Sequence, residues 1–107
     1  MDEKLELVRN NLVHYQQWED VRVSPASFQW EGENIQLIIG KPSNSEREEC
    51  VLPVEYSQYQ ESLLTTNLID ATFTNLVSEE FERIVLAIIG DDGTVVFYYI
   101  TRGTSTI

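Results

Sequence analysis

The groups best suited to acid–base chemistry in this 107-residue sequence are one histidine and several carboxylates near the C-terminus. His14 is the only histidine in the chain. It lies inside an amphipathic helical pattern, and none of its neighbours supplies the placed partner that a general base needs. The sequence therefore predicts a helix residue partly covered by packing rather than a catalytic base.

The carboxylates form two groups that flank the last apolar segment. The first group is Glu79, Glu80 and Glu82, and the second is Asp91 and Asp92. Charged residues just beyond a helix usually face water. Asp-Gly is a favoured pair in hairpin turns. Taken by themselves, these residues favour a solvated helix end and a turn over acid–base machinery.

Metal and phosphate sites lack the residues they need. One histidine and one cysteine cannot form a zinc site, and Asp91-Asp92-Gly93 lacks the remaining ligands of a calcium-binding loop. No glycine-rich segment follows a strand and opens a helix. The single Cys50 cannot form an internal disulfide and, beside Val51, is predicted to be a buried strand residue. We expect no catalytic residue, no metal and no cofactor.

The charge of the chain argues against direct nucleic-acid binding. Eighteen Asp and Glu against seven Lys and Arg give a formal net charge of -11, which repels a polyanion unless a basic patch is present. The basic residues are scattered without clustering: Lys4, Arg9, Arg22, Lys41, Arg47, Arg83 and Arg102. We expect a basic protein partner and a single domain, 1–107, that is soluble and intracellular, since no apolar run suggests a signal peptide or a membrane helix.

The first half of the chain predicts a helix followed by short strands. Apolar residues recur at helical spacing over residues 3–18, ending at Tyr15 and Trp18. Short β pieces then follow at 21–23, 28–30 and 35–39, separated by Ser24-Pro25 and by the turn-rich 31–34. This pattern is typical of a β-meander.

The middle of the chain predicts a loop, a strand and a second helix. Residues 41–49 carry no apolar side chain, so we expect a solvated, flexible loop. A strand is predicted at 50–54. Ser57 and Gln60 then form a potential capping box for a helix that runs to about residue 77.

The last segment predicts a β-hairpin with an open edge. Residues 83–89 (RIVLAII) are apolar on both alternating faces, so this strand should be central in its sheet. Residues 90–93 form the turn, and 94–101 return as an aromatic-rich strand. If the sequence stops near Ile107, no later segment can pair with the outer edge of that strand. Such an edge invites pairing with another chain.

Three stretches are informative together: 82–103 (ERIVLAIIGDDGTVVFYYITRG), 7–18 (LVRNNLVHYQQW), and 51–64 with 71–76. They resemble, in that order, the C-terminal hairpin, the first helix and the strand-to-helix segment of the small non-catalytic subunit of tRNA-splicing endonucleases, the Sen-fifteen type, in its budding-yeast branch. Together they cover about two thirds of the chain in the family's order.

The resemblance implies a fold and a role. The fold would be α/β (α+β): a tRNA-intron endonuclease domain, related to restriction-endonuclease-like nucleases, with a small mixed sheet, two helices and a C-terminal hairpin. The role would be structural, within a heterotetramer of two catalytic and two structural subunits that excises introns from pre-tRNA in the nucleus or, as in some yeasts, on the mitochondrial surface. The catalytic Tyr, His and Lys of that family cannot be assembled here, because no Lys or His lies in the C-terminal half.

Two family features carry over to named positions. The subunit interface strand would be Val95, Val96, Phe97, Tyr98, Tyr99 and Ile100, pairing with a catalytic subunit. The acidic docking loop would be Gly90, Asp91, Asp92 and Gly93, entering a basic groove on the opposite dimer. The loop at 41–49 is short for the family. An alternative is an acidic dimerising adaptor unrelated to RNA processing, and in isolation either protein could form a homodimer through the same edge.

Overall fold

The computed structural model describes residues 3–30, 32–55, 66–78 and 81–101. In chain order the elements are α1 (Glu3–His14), β1 (Glu19–Trp30), β2 (Glu33–Lys41), β3 (Glu49–Glu55), α2 (Thr66–Leu76), β4 (Arg83–Ile89) and β5 (Val95–Thr101). The strands form one sheet in the order β1-β2-β3-β4-β5. The expected α+β class, with two helices, a small mixed sheet and a C-terminal hairpin, is confirmed; the closer likeness to restriction endonucleases stays an expectation.

The sheet is mixed because one connection crosses over through a helix. Strands β1, β2 and β3 are antiparallel neighbours, as are β4 and β5, whereas β3 and β4 are parallel. Parallel neighbours need a long crossover, and the segment that contains α2 supplies it. All residues of β4 after Arg83 are buried, as are all residues of β3 before Glu55. The prediction that β4 is a central strand is confirmed.

Each face of the sheet is covered by one helix, giving two apolar clusters. The α1-side cluster contains Leu5, Val8, Leu12, Ile38, Val51, Val85, Ala87 and Ile89. The α2-side cluster contains Ile35, Leu37, Cys50, Leu52, Val54, Leu68, Phe73, Val77, Ile84, Leu86 and Ile88. Alternate residues of β3 and β4 enter opposite clusters, which is why both strands are continuously apolar. Cys50 is buried in β3, as predicted.

Helix α1 is shorter than its apolar pattern predicts. It ends at His14, and Gln17 adopts a positive φ of 58° that reverses the chain. The Trp18 amide donates to the Leu12 carbonyl at 2.9 Å, which closes the helix end. The prediction of a helix reaching residue 18 is wrong for the last four residues: Tyr15 is exposed, and Trp18 reaches the α1-side cluster from the reversing segment.

Strand β1 is continuous where two pieces, 21–23 and 28–30, were predicted. The Ser24-Pro25 break between them is an irregularity in the pairing with β2, whose register shifts between Val23 and Ser27. Proline is tolerated there because β1 lies at the edge of the sheet. β2 and β3 each extend one or two residues beyond the predicted 35–39 and 50–54.

The connection between β2 and β3 is held by local hydrogen bonds. The Ser45 amide donates to the Pro42 carbonyl at 3.1 Å, and the Arg47 amide donates to Ser45 Oγ at 3.2 Å. The flexibility predicted for 41–49 stays a prediction. For the second helix, the described part is 66–76, and the predicted start at Ser57 lies outside the described residues.

Candidate interface strand and docking loop

The turn of the β4–β5 hairpin has a defined geometry. The Gly93 amide donates to the Gly90 carbonyl at 3.0 Å, and the Gly90 amide donates to the Thr94 carbonyl at 2.8 Å. Gly93 has φ +87°. These features define a three-residue hairpin loop in which a tight turn is followed by a left-handed residue, the conformation that glycine adopts most readily. The predicted hairpin turn at 90–93 is confirmed.

The two aspartates of this loop have different surroundings. Asp92 Oδ1 accepts hydrogen bonds from the Thr94 hydroxyl at 2.7 Å and the Thr94 amide at 3.1 Å. The Thr94 hydroxyl, and after it the Thr94 amide, lower the pKa of Asp92. Asp91 is exposed, and its side chain has no hydrogen bond or ion pair with any described residue. Asp92 therefore organises the turn, and Asp91 presents its charge to solvent.

The hydrogen bond between Gly90 and Thr94 determines which backbone groups of β5 point away from the sheet. Directly opposed residues of an antiparallel pair alternate between hydrogen-bonded and non-hydrogen-bonded pairs. The register continues without a shift from Ile89↔Val95 to Arg83↔Thr101. Val96 is therefore hydrogen-bonded to Ile88, and the amide of Phe97 points outward. No described strand lies on that side of β5.

The side chains of β5 cover both faces of this edge. Val95, Phe97 and Tyr99 lie on the α1 side, and Val96, Tyr98 and Ile100 lie on the α2 side. Val95 and Phe97 pack on the α1-side cluster and Ile100 on the other. Val96, Tyr98 and Tyr99 have relative exposures of 49%, 51% and 58%. The six residues predicted as an interface strand thus form one apolar and aromatic edge.

The opposite edge of the sheet, strand β1, has features that prevent pairing with another strand. Strand β1 contains Pro25 and two register shifts, and its Arg22 donates to Glu48 at 2.8 Å. Asp20 within it has a positive φ of 54°. Prolines, bulges and charges are the features with which natural sheets prevent edge-to-edge pairing. Strand β5 has a regular register and no proline or charge from Val95 to Thr101, so it is the edge open to pairing.

Arg83 lies beside this edge at the start of β4. Its Nη2 donates to Glu49 Oε2 at 2.8 Å, and its Cζ lies 4.1 Å from the centroid of the Tyr99 ring. The hydrogen bond to Glu49 raises the pKa of the Arg83 guanidinium. Tyr99, Arg83 and Glu49 thus form a row across three neighbouring strands. Sequence reasoning missed this row, because Glu49 and Arg83 are 34 positions apart and no local pattern joins them.

The described residues bring no catalytic constellation together. Lys4 pairs with Glu33 at 3.6 Å and lies on α1 with His14, about 15 Å away along the helix axis. A polar cleft of about 240 Å³ beside Arg83 has no histidine or lysine in its lining. In the described ranges no three His, Cys, Asp or Glu side chains are grouped to hold a metal ion. None of the described helices is both long and apolar enough to cross a membrane.

Comparison with known proteins identifies the family. The family described as Sen15 protein matches residues 7–106. The tRNA-splicing endonuclease subunit SEN15 of Eremothecium gossypii is 46% identical over 104 residues, which cover 91% of this chain and 82% of that relative. The resemblance seen in the hairpin and in the first helix is confirmed over nearly the whole sequence. This chain is a member of the Sen15 protein family.

Proposed function

We propose that this chain is a non-catalytic structural subunit of the tRNA-splicing endonuclease, the complex that excises introns from pre-tRNA. The observation that carries the proposal is the open edge of β5 in a chain whose relative is named as a subunit of that enzyme. A subunit needs a surface for its neighbours. From Val95 to Ile100, the outer edge of β5 pairs with no described strand, and exposed aromatic side chains lie beside it.

The absence of catalysis is supported by the distribution of basic side chains. Cleavage of the phosphodiester requires a base and a cation close to the reacting phosphate. His14 and both lysines lie in the first 41 residues, and Lys4 is paired with Glu33. A net charge of -11 also disfavours a binding site for RNA on this chain. The catalytic subunits would supply the chemistry and the main contacts to pre-tRNA.

In the proposed complex, β5 extends the sheet into a catalytic subunit. The outward amide of Phe97 and its alternate neighbours would pair with a strand of that subunit. Val96, Tyr98 and Tyr99 would become buried on the two faces of the joined sheet. Main-chain hydrogen bonds provide affinity in such pairings, and the alternating side chains provide specificity.

The turn at 90–93 would make the second contact, with a subunit of the opposite dimer. Asp91 is exposed and engages no described residue, so its carboxylate can accept hydrogen bonds from a basic groove. Asp92 is committed to Thr94 through Oδ1. Its second oxygen can reach a partner without breaking the turn. This contact would join two dimers into the heterotetramer.

An acidic adaptor unrelated to RNA processing would use the same edge, and copurification separates the two functions. We expect the tagged chain, expressed with its natural neighbours, to copurify with the catalytic endonuclease subunits identified by mass spectrometry. The purified complex should excise introns from pre-tRNA, and the chain alone should not. Intron excision by the chain alone, with catalytic subunits excluded by mass spectrometry, would disprove the non-catalytic role. Their absence from the purified complex would favour the adaptor.

A further inference from the structure

We infer that the strand pairing with β5 carries an Asp or Glu side chain opposite Tyr99, bound by Arg83. This inference depends on the proposed pairing of β5 with another subunit, and it adds the chemistry of the partner. It makes Arg83 a specificity-determining residue of that interface.

The position of the guanidinium supports the inference. Arg83 belongs to β4, yet its Cζ lies 4.1 Å from the centroid of the Tyr99 ring on the neighbouring strand. The guanidinium therefore lies between Glu49 of β3 and the Tyr99 ring of the edge strand, in contact with both. A strand added to β5 would lie about 4.8 Å further out. An Asp or Glu on its α1 side, opposite Tyr99, would come within hydrogen-bonding reach of the guanidinium.

The guanidinium also has donors left for such a carboxylate. An arginine side chain has five N–H donors. Nε and Nη2 each direct one of them at Glu49, at 3.4 and 2.8 Å, which leaves three. The Arg83 side chain is 47% exposed, whereas that of Glu49 is 10% exposed. Glu49 thus fixes the orientation of the guanidinium from β3, and the remaining donors of this half-exposed side chain have no hydrogen bond to a described residue.

Charge complementarity specifies the partner's residue. Strand β5 has no charged residue from Val95 to Thr101. Among the described residues, Arg83 is the cation in contact with a β5 side chain on the α1 side. A chain with a net charge of -11 repels most acidic partners. A carboxylate is accommodated where an arginine, stacked on an aromatic ring, offers a planar set of donors. Pairing would remove water from this stack and strengthen the interaction.

The same geometry disfavours self-pairing. If two copies of β5 pair with their 95–101 segments fully overlapping, the residue opposite Tyr99 comes from that segment, which contains no Asp or Glu. Arg83 then gains no new acceptor. The natural partner and a second copy therefore differ by one charge-assisted contact, which is how specificity between competing strands arises.

The double variant Glu49→Gln with Arg83→Gln tests the inference. It removes both charges, so no carboxylate is left buried without its cation. We expect its affinity for the coexpressed catalytic subunit to fall on the order of tenfold and to depend less on salt than the wild type. Self-association of the isolated chain should be unchanged. Glu49→Gln alone, which keeps Arg83, should retain most of the affinity.

Two further variants separate the possible outcomes. Wild-type affinity and salt dependence in the double variant, together with loss of binding in Phe97→Pro, would disprove the partner carboxylate and leave the β5 pairing intact. Unchanged binding in Phe97→Pro as well would reject the β5 interface itself. If the double variant fails to fold, Arg83→Lys keeps the charge and loses the planar donor set. It should bind several-fold more weakly, and full affinity in that variant would count against the inference.

Discussion

At the tip of the β4–β5 hairpin, hydrogen bonds from Thr94 are the main cause of the lowered pKa of Asp92. The hydroxyl and amide of Thr94 stabilise the ionised carboxylate and lower its pKa below the ordinary value of 3.8. A depressed folded-state pKa gives a stabilisation that is present above 3.8 and is lost as the pH falls through the folded pKa. We expect Thr94→Val to raise the pKa of Asp92, as measured by NMR titration of the carboxyl carbon. A midpoint equal to that of the wild type would exclude the hydroxyl as the main cause.

Gly93 has a backbone conformation that disfavours a side chain. A side chain there would meet no atom within 4 Å, so the constraint is the φ of +87° rather than space. An L-residue in this region costs about 1–2 kcal/mol. We expect Gly93→Ala to lower the free energy of unfolding by that amount in urea denaturation. Gly93→Asn should cost less, because asparagine tolerates this conformation better; equal stability of all three would show that the turn relaxes.

The sequence predicts some of these residues and not others. Asp-Gly before a β-branched strand predicts a turn, because its chemistry is local. The different roles of Asp91 and Asp92 depend on Thr94, two positions away, and were not predicted. The row of Tyr99, Arg83 and Glu49 depends on β3 and β4 being parallel neighbours. No spacing in the sequence encodes that arrangement, so the residues most specific to the proposed interface became visible only in the fold.

For strand β5, proline substitutions test which amides face outward. Phe97→Pro removes an amide that points away from the sheet, so we expect the monomer to fold and association with the catalytic subunit to be lost. Phe97→Ala is the matched control, because it also removes the ring that packs on the α1-side cluster but keeps the amide. The difference between the two in sedimentation measures the main-chain contribution.

Val96→Pro should behave in the opposite way. Its amide pairs with Ile88 inside the sheet, so proline removes a hydrogen bond of the monomer itself. We expect Val96→Pro to lower the melting temperature more than Phe97→Pro does. If the order is reversed, the hydrogen-bonding alternation of β5 is offset by one residue. If neither variant shifts the balance between complex and monomer, the interface lies elsewhere.

The elements themselves were predictable where one apolar pattern dominated. The two-sided apolar run of β4 predicted a central strand, and both clusters use it. The end of α1 was missed because Tyr15 and Trp18 continue the helical spacing, while the left-handed Gln17 reverses the chain between them. For β1, Ser24-Pro25 signals a break, but pairing with β2 carries the strand through it as an irregularity. For both the end of α1 and the continuity of β1, tertiary contacts outweighed the local sequence pattern.

At the scale of the whole molecule, the net charge determines how strongly the chain can bind RNA. With 18 acidic and 7 basic residues, few cations are available to release counterions from a phosphate backbone. We expect the isolated chain to show no tight binding to pre-tRNA at physiological salt in a fluorescence anisotropy titration. Adding the catalytic subunits should produce binding, which provides the positive control. Tight binding by the chain alone would mean that its basic residues gather in a way that their scatter in the sequence conceals.

Because the whole chain is acidic, replacing Asp91 provides a test of heterotetramer assembly. The exposed Asp91 carboxylate adds repulsion to a chain with a net charge of -11, and it makes no hydrogen bond to a described residue of the turn. A basic groove on the opposite dimer would offset that repulsion through charge-assisted hydrogen bonds of about 1.5–3 kcal/mol. We expect Asp91→Asn to melt like the wild type and to keep its β5 partner. The heterotetramer of coexpressed subunits should fall apart at lower salt in gel filtration, because its affinity drops on the order of tenfold.

Asp92→Asn completes this test, because asparagine keeps an Oδ1 acceptor for Thr94 while losing the charge. The double variant Asp91→Asn with Asp92→Asn should therefore form the hairpin and the heterodimer, and lose on the order of a hundredfold in tetramer affinity. Thr94→Val is the matched control, since it disturbs the turn and leaves both charges in place. Its tetramer should resist salt better than that of the double variant. A salt-resistant tetramer carrying both asparagines would show that the aspartates act only in the turn.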